Sequence, residues 1–276
     1  MKKILVSTDF SEASHKALRY AVEFAKTIQG KIVLFHVFTP AVVPVTDVPW
    51  TVLPGPTEVT DEPMELLKKE LQLFTNNLEV PAECYTTEGD TVDKIIELEE
   101  EEKPDFIVMG MKPAGVLREY LIGSVATSVI RKSQIPVLLI PELYLLKKIE
   151  QIVFACDYKI DDVTILSPVK EVVKLFNARL IILNIAKQTE DIDEDKTKTG
   201  VILENYFADT KHIFHFVEDN NLLNGLNNFI EQNKVDMIAT VGHHHNLIEI
   251  LFRKDTNRKI AFHTIVPLFI VPVITV

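Results

Sequence analysis

The chain has 276 residues, 47% hydrophobic and 25% charged, the composition of an ordinary soluble globular protein with room for one large domain or two of about 140 residues. Its formal net charge of −11 argues against nucleic acid or an anionic membrane as the main partner, because both reward basic surfaces. No run approaches the roughly 18 apolar residues of a transmembrane helix.

From the N-terminus, Met1-Lys2-Lys3 is followed only by Ile4-Leu5-Val6 before Ser7-Thr8-Asp9, too short an apolar core for a secretory signal. These residues instead read as a first strand with an aspartate at its carboxyl end. Ala17, Leu18, Ala21, Val22 and Ala25 follow with helical spacing. Ile32 to Phe38 is a second strand, in which His36 is expected to be a satisfied core histidine. A segment with Pro40, Pro44, Pro49, Pro54, Pro56 and Pro63, and the single Trp50, reads as an extended loop before a helix at about Pro63 to Asn77. A third strand lies near Ala82 to Thr86, and a third helix ends in the Glu97–Glu102 cluster, expected to be solvated. Phe106 to Met109 is a short uninterrupted apolar run ending in Gly110, as a strand buried on both faces of a parallel sheet would be. Gly123-Ser124 then opens an amphipathic stretch that stops before Pro136. A strand leading through a glycine to a Gly-Ser helix start puts free backbone N–H groups where an anion can sit, with Ser124 either donating to a phosphate oxygen or capping its helix.

The chain is written twice. Ile4 to Phe10 matches Ile152 to Tyr158, each an apolar strand, two small residues, an aspartate and an aromatic. Ile165, Val169, Val172, Val173 and Phe176 repeat the helical pattern, Leu180 to Ile185 the second strand and Ile213 to Val217 the third. QIPVLLIP at 134–141 matches IVPLFIVP at 265–272. The copies are 148 residues apart at their starts and 131 at their ends, and the shortening falls where the second copy has a polar connection, Gln188 to Lys198. Strands alternating with helices predict parallel βαβ units in a doubly wound sheet.

The segment from Gly110 to Ser124, the closing IPVLLIP strand and the opening KKILVSTDFSEAS together resemble the universal stress protein family, whose nucleotide-binding members carry G-x2-G-x9-G-[S/T]. Gly110 and Gly123-Ser124 stand at the motif's spacing; Pro113 occupies the middle glycine position, with Gly115 two residues on. The resemblance implies two tandem five-stranded Rossmann-like α/β domains, strand order 3-2-1-4-5, over residues 1–145 and 146–276, with ligands at the strand carboxyl ends where the order reverses. It implies ATP or another adenine nucleotide, with or without magnesium, bound by Thr8, Asp9, Val37, Met109, Gly110, Lys112, Gly115, Gly123, Ser124 and Val125. Asp9 would contact the ribose and the backbone near Val37 would line the adenine pocket; the alternative for Asp9 is a cap on the helix beginning near Ser11. Lys112 and Arg118 are within reach of phosphates, although exposed basic side chains in loops are usually solvated. The family's pairing through last strands implies an intrachain pseudo-dimer in which Val137 to Ile140 meet Leu268 to Val271, and allows a homo-oligomer.

The second copy is degenerate by the same motif. Counting thirteen from Gly242 reaches Asp255 and Thr256; counting back from Pro267 reaches Lys254 and Asp255. Both put a carboxylate at the helix start, where it repels phosphate. His243 and His245, with Glu249 or His263, offer a competing metal reading. Cys156, standing where the first copy has Thr8, reads as a small buried residue rather than a reactive thiol. The two cysteines, Cys84 and Cys156, make no framework, so a reducing cytoplasm is expected. With no P-loop lysine motif and no convincing base, the expected output is regulatory; a nucleotide-independent scaffold and a slow ATPase are the alternatives.

Overall fold

The computed structural model describes residues 1–38, 62–75, 80–114, 119–120, 122–156, 158, 160, 162–186, 194–242 and 266–272. In the first half, β1 (Lys3–Ser7), α1 (Glu12–Ile28), β2 (Lys31–Phe38), α2 (Glu62–Thr75), β3 (Ala82–Glu88), α3 (Thr91–Glu102) and β4 (Phe106–Met111) alternate as the apolar runs predict. A small hairpin, β5 (Pro113–Ala114) and β6 (Glu119–Tyr120), precedes α4 (Ser124–Lys132) and β7 (Val137–Pro141). The second half repeats the scheme with β8 (Gln151–Ala155), α5 (Ser167–Phe176), β9 (Arg179–Ala186), α6 (Glu194–Phe207), β10 (His212–Glu218), α7 (Leu222–Gln232), β11 (Met237–Val241) and β12 (Leu268–Val271). Glu194 to Lys198, expected in a polar connection, instead form the start of α6. No helix among the described residues is long and apolar enough to cross a membrane.

The ten strands form one sheet in the order β10-β9-β8-β11-β12-β7-β4-β1-β2-β3. Each half therefore has the order 3-2-1-4-5. Every pairing in this sheet is parallel except the seam, where β12 runs antiparallel to β7 with Leu268, Phe269 and Ile270 opposite Leu139, Leu138 and Val137. The last strand of each half covers the edge the other would leave open.

Alternation along the strands sends side chains to two faces. Ile4, Val6, Val108 and Leu138 pack with α1, α2, α5 and α6. Leu5, Val33, Ile107 and Leu139 pack with α3, α4 and α7. The first of these cores runs unbroken across the seam: Phe106 and Phe269 lie 6.1 Å apart, and Phe24 of α1 stacks on Phe176 of α5 at 5.4 Å. Lys2 adds a salt bridge to Glu171 at 2.7 Å.

The Glu97–Glu102 cluster departs from its expected role. The α3 face that carries Ile95 and Leu98 also carries Glu99, which is buried, its Oε1 accepting from the Gln134 N–H at 2.7 Å. Burial pushes this carboxyl up against the hydrogen bonds it accepts from 133–135. Glu102 pairs with Lys3 at 2.6 Å, so α3 is tied to both β1 and the turn before β7.

Candidate functional site

The order of strands reverses between β1 and β4, and a cleft of about 270 Å³ opens at their carboxyl ends. Thr8, Asp9, Val37, Met109, Gly110, Lys112, Gly123, Ser124 and Val125 all line it. Gly115 and Arg118 lie outside the described residues. Two wider hollows lie elsewhere, one of about 510 Å³ beside Tyr20 and Phe176 and one of about 410 Å³ beside Lys170 and Tyr206, and neither is at the point where the strand order reverses.

The β1–α1 turn presents Asp9. Thr8 is buried, and its Oγ1 accepts from the Phe10 N–H at 3.1 Å, which helps hold Phe10 at φ 60. Asp9 Oδ1 accepts from the N–H and hydroxyl of Ser11, and its Oδ2 meets Lys112 Nζ at 2.9 Å across the mouth of the cleft. Partial burial raises the Asp9 pKa, but these donors overcome it and hold the carboxyl well below the usual range. Asp9 is not the helix cap; Ser11 is, its side chain accepting from Ser14 N–H. Lys112, a nucleotide-binding candidate, is therefore the counter-ion of Asp9. His36 is partly buried and satisfied: its Nδ1 lies 2.9 Å from the Thr8 carbonyl and its ring 4.5 Å from that of Phe10.

The two motif glycines have different physical causes. A Cβ on Gly110 would lie 2.3 Å from the Ala13 carbonyl oxygen and 2.8 Å from the Ser14 nitrogen, so the first turn of α1 crosses β4 only because this residue has no side chain. Gly123 has φ −61 and ψ 158, which any residue adopts, and a Cβ there would meet nothing within 4 Å. Neither strain nor packing asks for glycine at 123. Gly123, not Ser124, is the N-cap of α4, and with no side-chain cap the N–H groups of Ser124, Val125 and Ala126 lack intrahelical acceptors at the edge of the cleft. Such a helix start suits an anion.

The profile of the universal stress protein family matches residues 1–141. The chain belongs to the universal stress protein family. Among curated relatives, universal stress protein YxiE of Bacillus subtilis is 33% identical over 145 residues, 50% of this chain and 97% of YxiE. Universal stress protein MJ0577 of Methanocaldococcus jannaschii is 30% identical over 157 residues, covering 50% and 94%. A solved universal stress protein from Archaeoglobus fulgidus covers 98% of both chains with a TM-score of 0.73 at 22% identity, a likeness of fold across both halves.

The second half of this universal stress protein repeats the positive-φ aromatic residue that follows the first strand and changes the chemistry around it. Tyr158 has φ 60, like Phe10, and donates its N–H to Cys156 Sγ at 3.3 Å. Asn184 Nδ2 donates to the Cys156 carbonyl at 2.9 Å, where His36 meets Thr8. Cys156 is buried, as a small filler should be. The ladders correct one expectation. Ile4 pairs with Phe106 and Ile152 with Met237, so Val241, not Gly242, stands where Gly110 stands. At the 148-residue offset that matches Phe10 with Tyr158 and Gln29 with Asn177, the helix starts at 167 rather than 160, after a 3-10 turn over Val163–Leu166. A buried valine cannot accept a helix start as close as α1 lies over Gly110. Asp255, Thr256 and the His243–His245 run lie outside the described residues, and no cluster of three metal-ligating side chains occurs among those described.

Sequence reasoning did not anticipate Ser7, Ser11, Ser14 or Thr91 in the cleft lining, nor Glu70, which reaches Thr8 from α2. Thr91 had a visible signal, since Gly89-Asp90 marks the carboxyl end of β3 and Asp90 caps α3. Glu70 had none.

Proposed function

We propose that this universal stress protein binds ATP or another adenine nucleotide in the cleft of a first domain, residues 1–145. Residues 146–276 would form a degenerate copy with a structural or regulatory role. The observation that carries the reading is Gly123: a glycine demanded by neither its dihedrals nor its neighbours, at an uncapped helix start facing the cleft. Close approach of a phosphate to the backbone is the physical reason left for it. On this reading the N–H groups of Ser124 and Val125 hold phosphate oxygens, Asp9 accepts from the ribose, and the backbone at Val37 lines the adenine pocket. Thr8, Met109 and Gly110 shape the floor. Lys112 exchanges its pairing with Asp9 for a phosphate, and Asp9 is then available to a magnesium ion. We assign no catalytic residue; the output is a nucleotide-dependent conformation or partner contact. Titration calorimetry of the intact chain with ATP tests this, with one site per chain expected. Absence of binding would favour the nucleotide-independent scaffold.

A further inference from the structure

Glu70 is 4% exposed, lies on α2 and points at the end of β1. Three oxygen–oxygen contacts run in series there. Ser14 Oγ is 2.9 Å from the Ser11 carbonyl, Thr8 Oγ1 is 3.1 Å from Ser14 Oγ, and Thr8 Oγ1 is 2.8 Å from Glu70 Oε1. Each contact needs a hydrogen, and a hydroxyl supplies one. Ser14 and Thr8 together supply two. If Ser14 donates to the Ser11 carbonyl, Thr8 donates to Ser14, and the third hydrogen has to come from Glu70. Thr8 Oγ1 then accepts from the carboxylic acid and from the Phe10 N–H, filling both of its acceptor positions. An ionised Glu70 would leave two oxygens facing each other with no hydrogen between them.

We propose that Glu70 is a positioning residue of the cleft, a neutral carboxylic acid that donates to Thr8 and thereby sets the turn that presents Asp9. The role rests on the nucleotide reading above, because Asp9 is the group being presented. Burial supports the protonated state. It pushes the Glu70 carboxyl up, outweighing the Thr8 hydrogen bond and the imidazoles of His15 and His36, while Asp9 adds to the rise. Its Oε2 is buried with no hydrogen-bond partner among the described residues, which an acid's carbonyl oxygen tolerates better than a carboxylate's. Among the described residues, the titratable groups around it are His15 from α1, its Nε2 3.4 Å from Oε1, His36 from β2, Asp9 beyond β1 and Cys84 from β3. Because the pKa is raised in the folded chain, this contribution to stability is complete below the ordinary glutamate range and is lost as pH rises through the raised value.

The test uses the full chain with ATP and the variants Glu70→Gln and Glu70→Ala. Glu70→Gln keeps a neutral donor, so it should match the wild type at low pH and hold its affinity where the wild type loses about tenfold as the carboxyl ionises. Glu70→Ala lacks the donor at every pH, so it should bind about tenfold more weakly than Glu70→Gln across the whole range and meet the wild type only where the wild-type carboxyl is ionised. Infrared spectroscopy of the unliganded protein reads the proton directly. Just above the ordinary glutamate range, where exposed glutamates are ionised, the wild type should show a protonated-carboxyl band that Glu70→Gln lacks. Superimposable pH profiles for wild type and Glu70→Gln, or absence of that band, would overturn the proposal. A wild type that binds no ATP at any pH marks instead the failure of the nucleotide reading; the positioning role then falls with it, and the band decides separately whether the proton sits on Glu70.

Discussion

Replacing Gly123 with aspartate should move stability and nucleotide binding in opposite directions. Gly123 occupies the N-cap of α4 with no side-chain hydrogen bond, and its φ and ψ already suit an aspartate. A Cβ there meets nothing within 4 Å, so no steric cost offsets the gain. Aspartate is a better cap than glycine by a few tenths of a kcal/mol. Its charge at a helix N-terminus adds about 0.3–1 kcal/mol. The unliganded variant should therefore be more stable by roughly 0.5–1 kcal/mol, a rise in Tm of about 1–3 °C for a chain of this size. A phosphate seated at the same helix start would face that carboxylate. At about 5 Å and an effective dielectric of about 20, the repulsion is about 3 kcal/mol per unit charge, more than a hundredfold in affinity. Thermal unfolding without ligand and titration calorimetry with ATP measure the two effects on one preparation. A Tm that falls would show that Gly123 serves the fold after all. Undiminished ATP binding would mean that phosphate does not sit at α4.

Gly110→Ala should do the reverse and act on the fold first: its methyl would lie 2.3 Å from the Ala13 carbonyl oxygen, backbone that moves only if α1 moves. Overpacking of this kind costs about 1–3 kcal/mol, so thermal unfolding should show Tm lowered by several degrees, and an unchanged Tm would contradict the close crossing of α1 over β4. Pro113→Gly restores an N–H at the middle position of the motif; a hydrogen bond to a charged acceptor is worth about 1.5–3 kcal/mol, so ATP should bind more tightly than to the wild type, by about tenfold or more. Equal or weaker binding in titration would show that the loop after β4 does not cradle phosphate.

The architecture was legible because it depends on periodicity. Apolar runs of strand length alternating with helical spacing, written twice, dictate parallel βαβ units; the meeting of the two last strands was implied by the family resemblance, and only the ladder shows that β12 runs antiparallel to β7. The candidate cleft was legible through the family resemblance, which implied the strand order that brings together the carboxyl ends of β1, β2 and β4 and the start of α4. Residues that look alike in sequence separated only in three dimensions. Gly110 and Gly123 are both motif glycines, yet one makes room for a helix and the other faces open space, a distinction set by what lies above each Cα. Counting along the second copy chose Gly242 as the partner of Gly110, whereas ladder register between distant strands selects Val241. The acidic run of α3 looked like a solvated end because composition does not say which of its glutamates shares a face with Leu98. Glu70 was hidden for the same physical reason. It is one glutamate on a charged helix, and only the docking of α2 against β2 and β3 carries it across 62 positions of chain to the hydroxyl of Thr8. Local pattern determined the elements and their order; contacts between residues far apart in the chain decided which side chains meet and in what state of protonation.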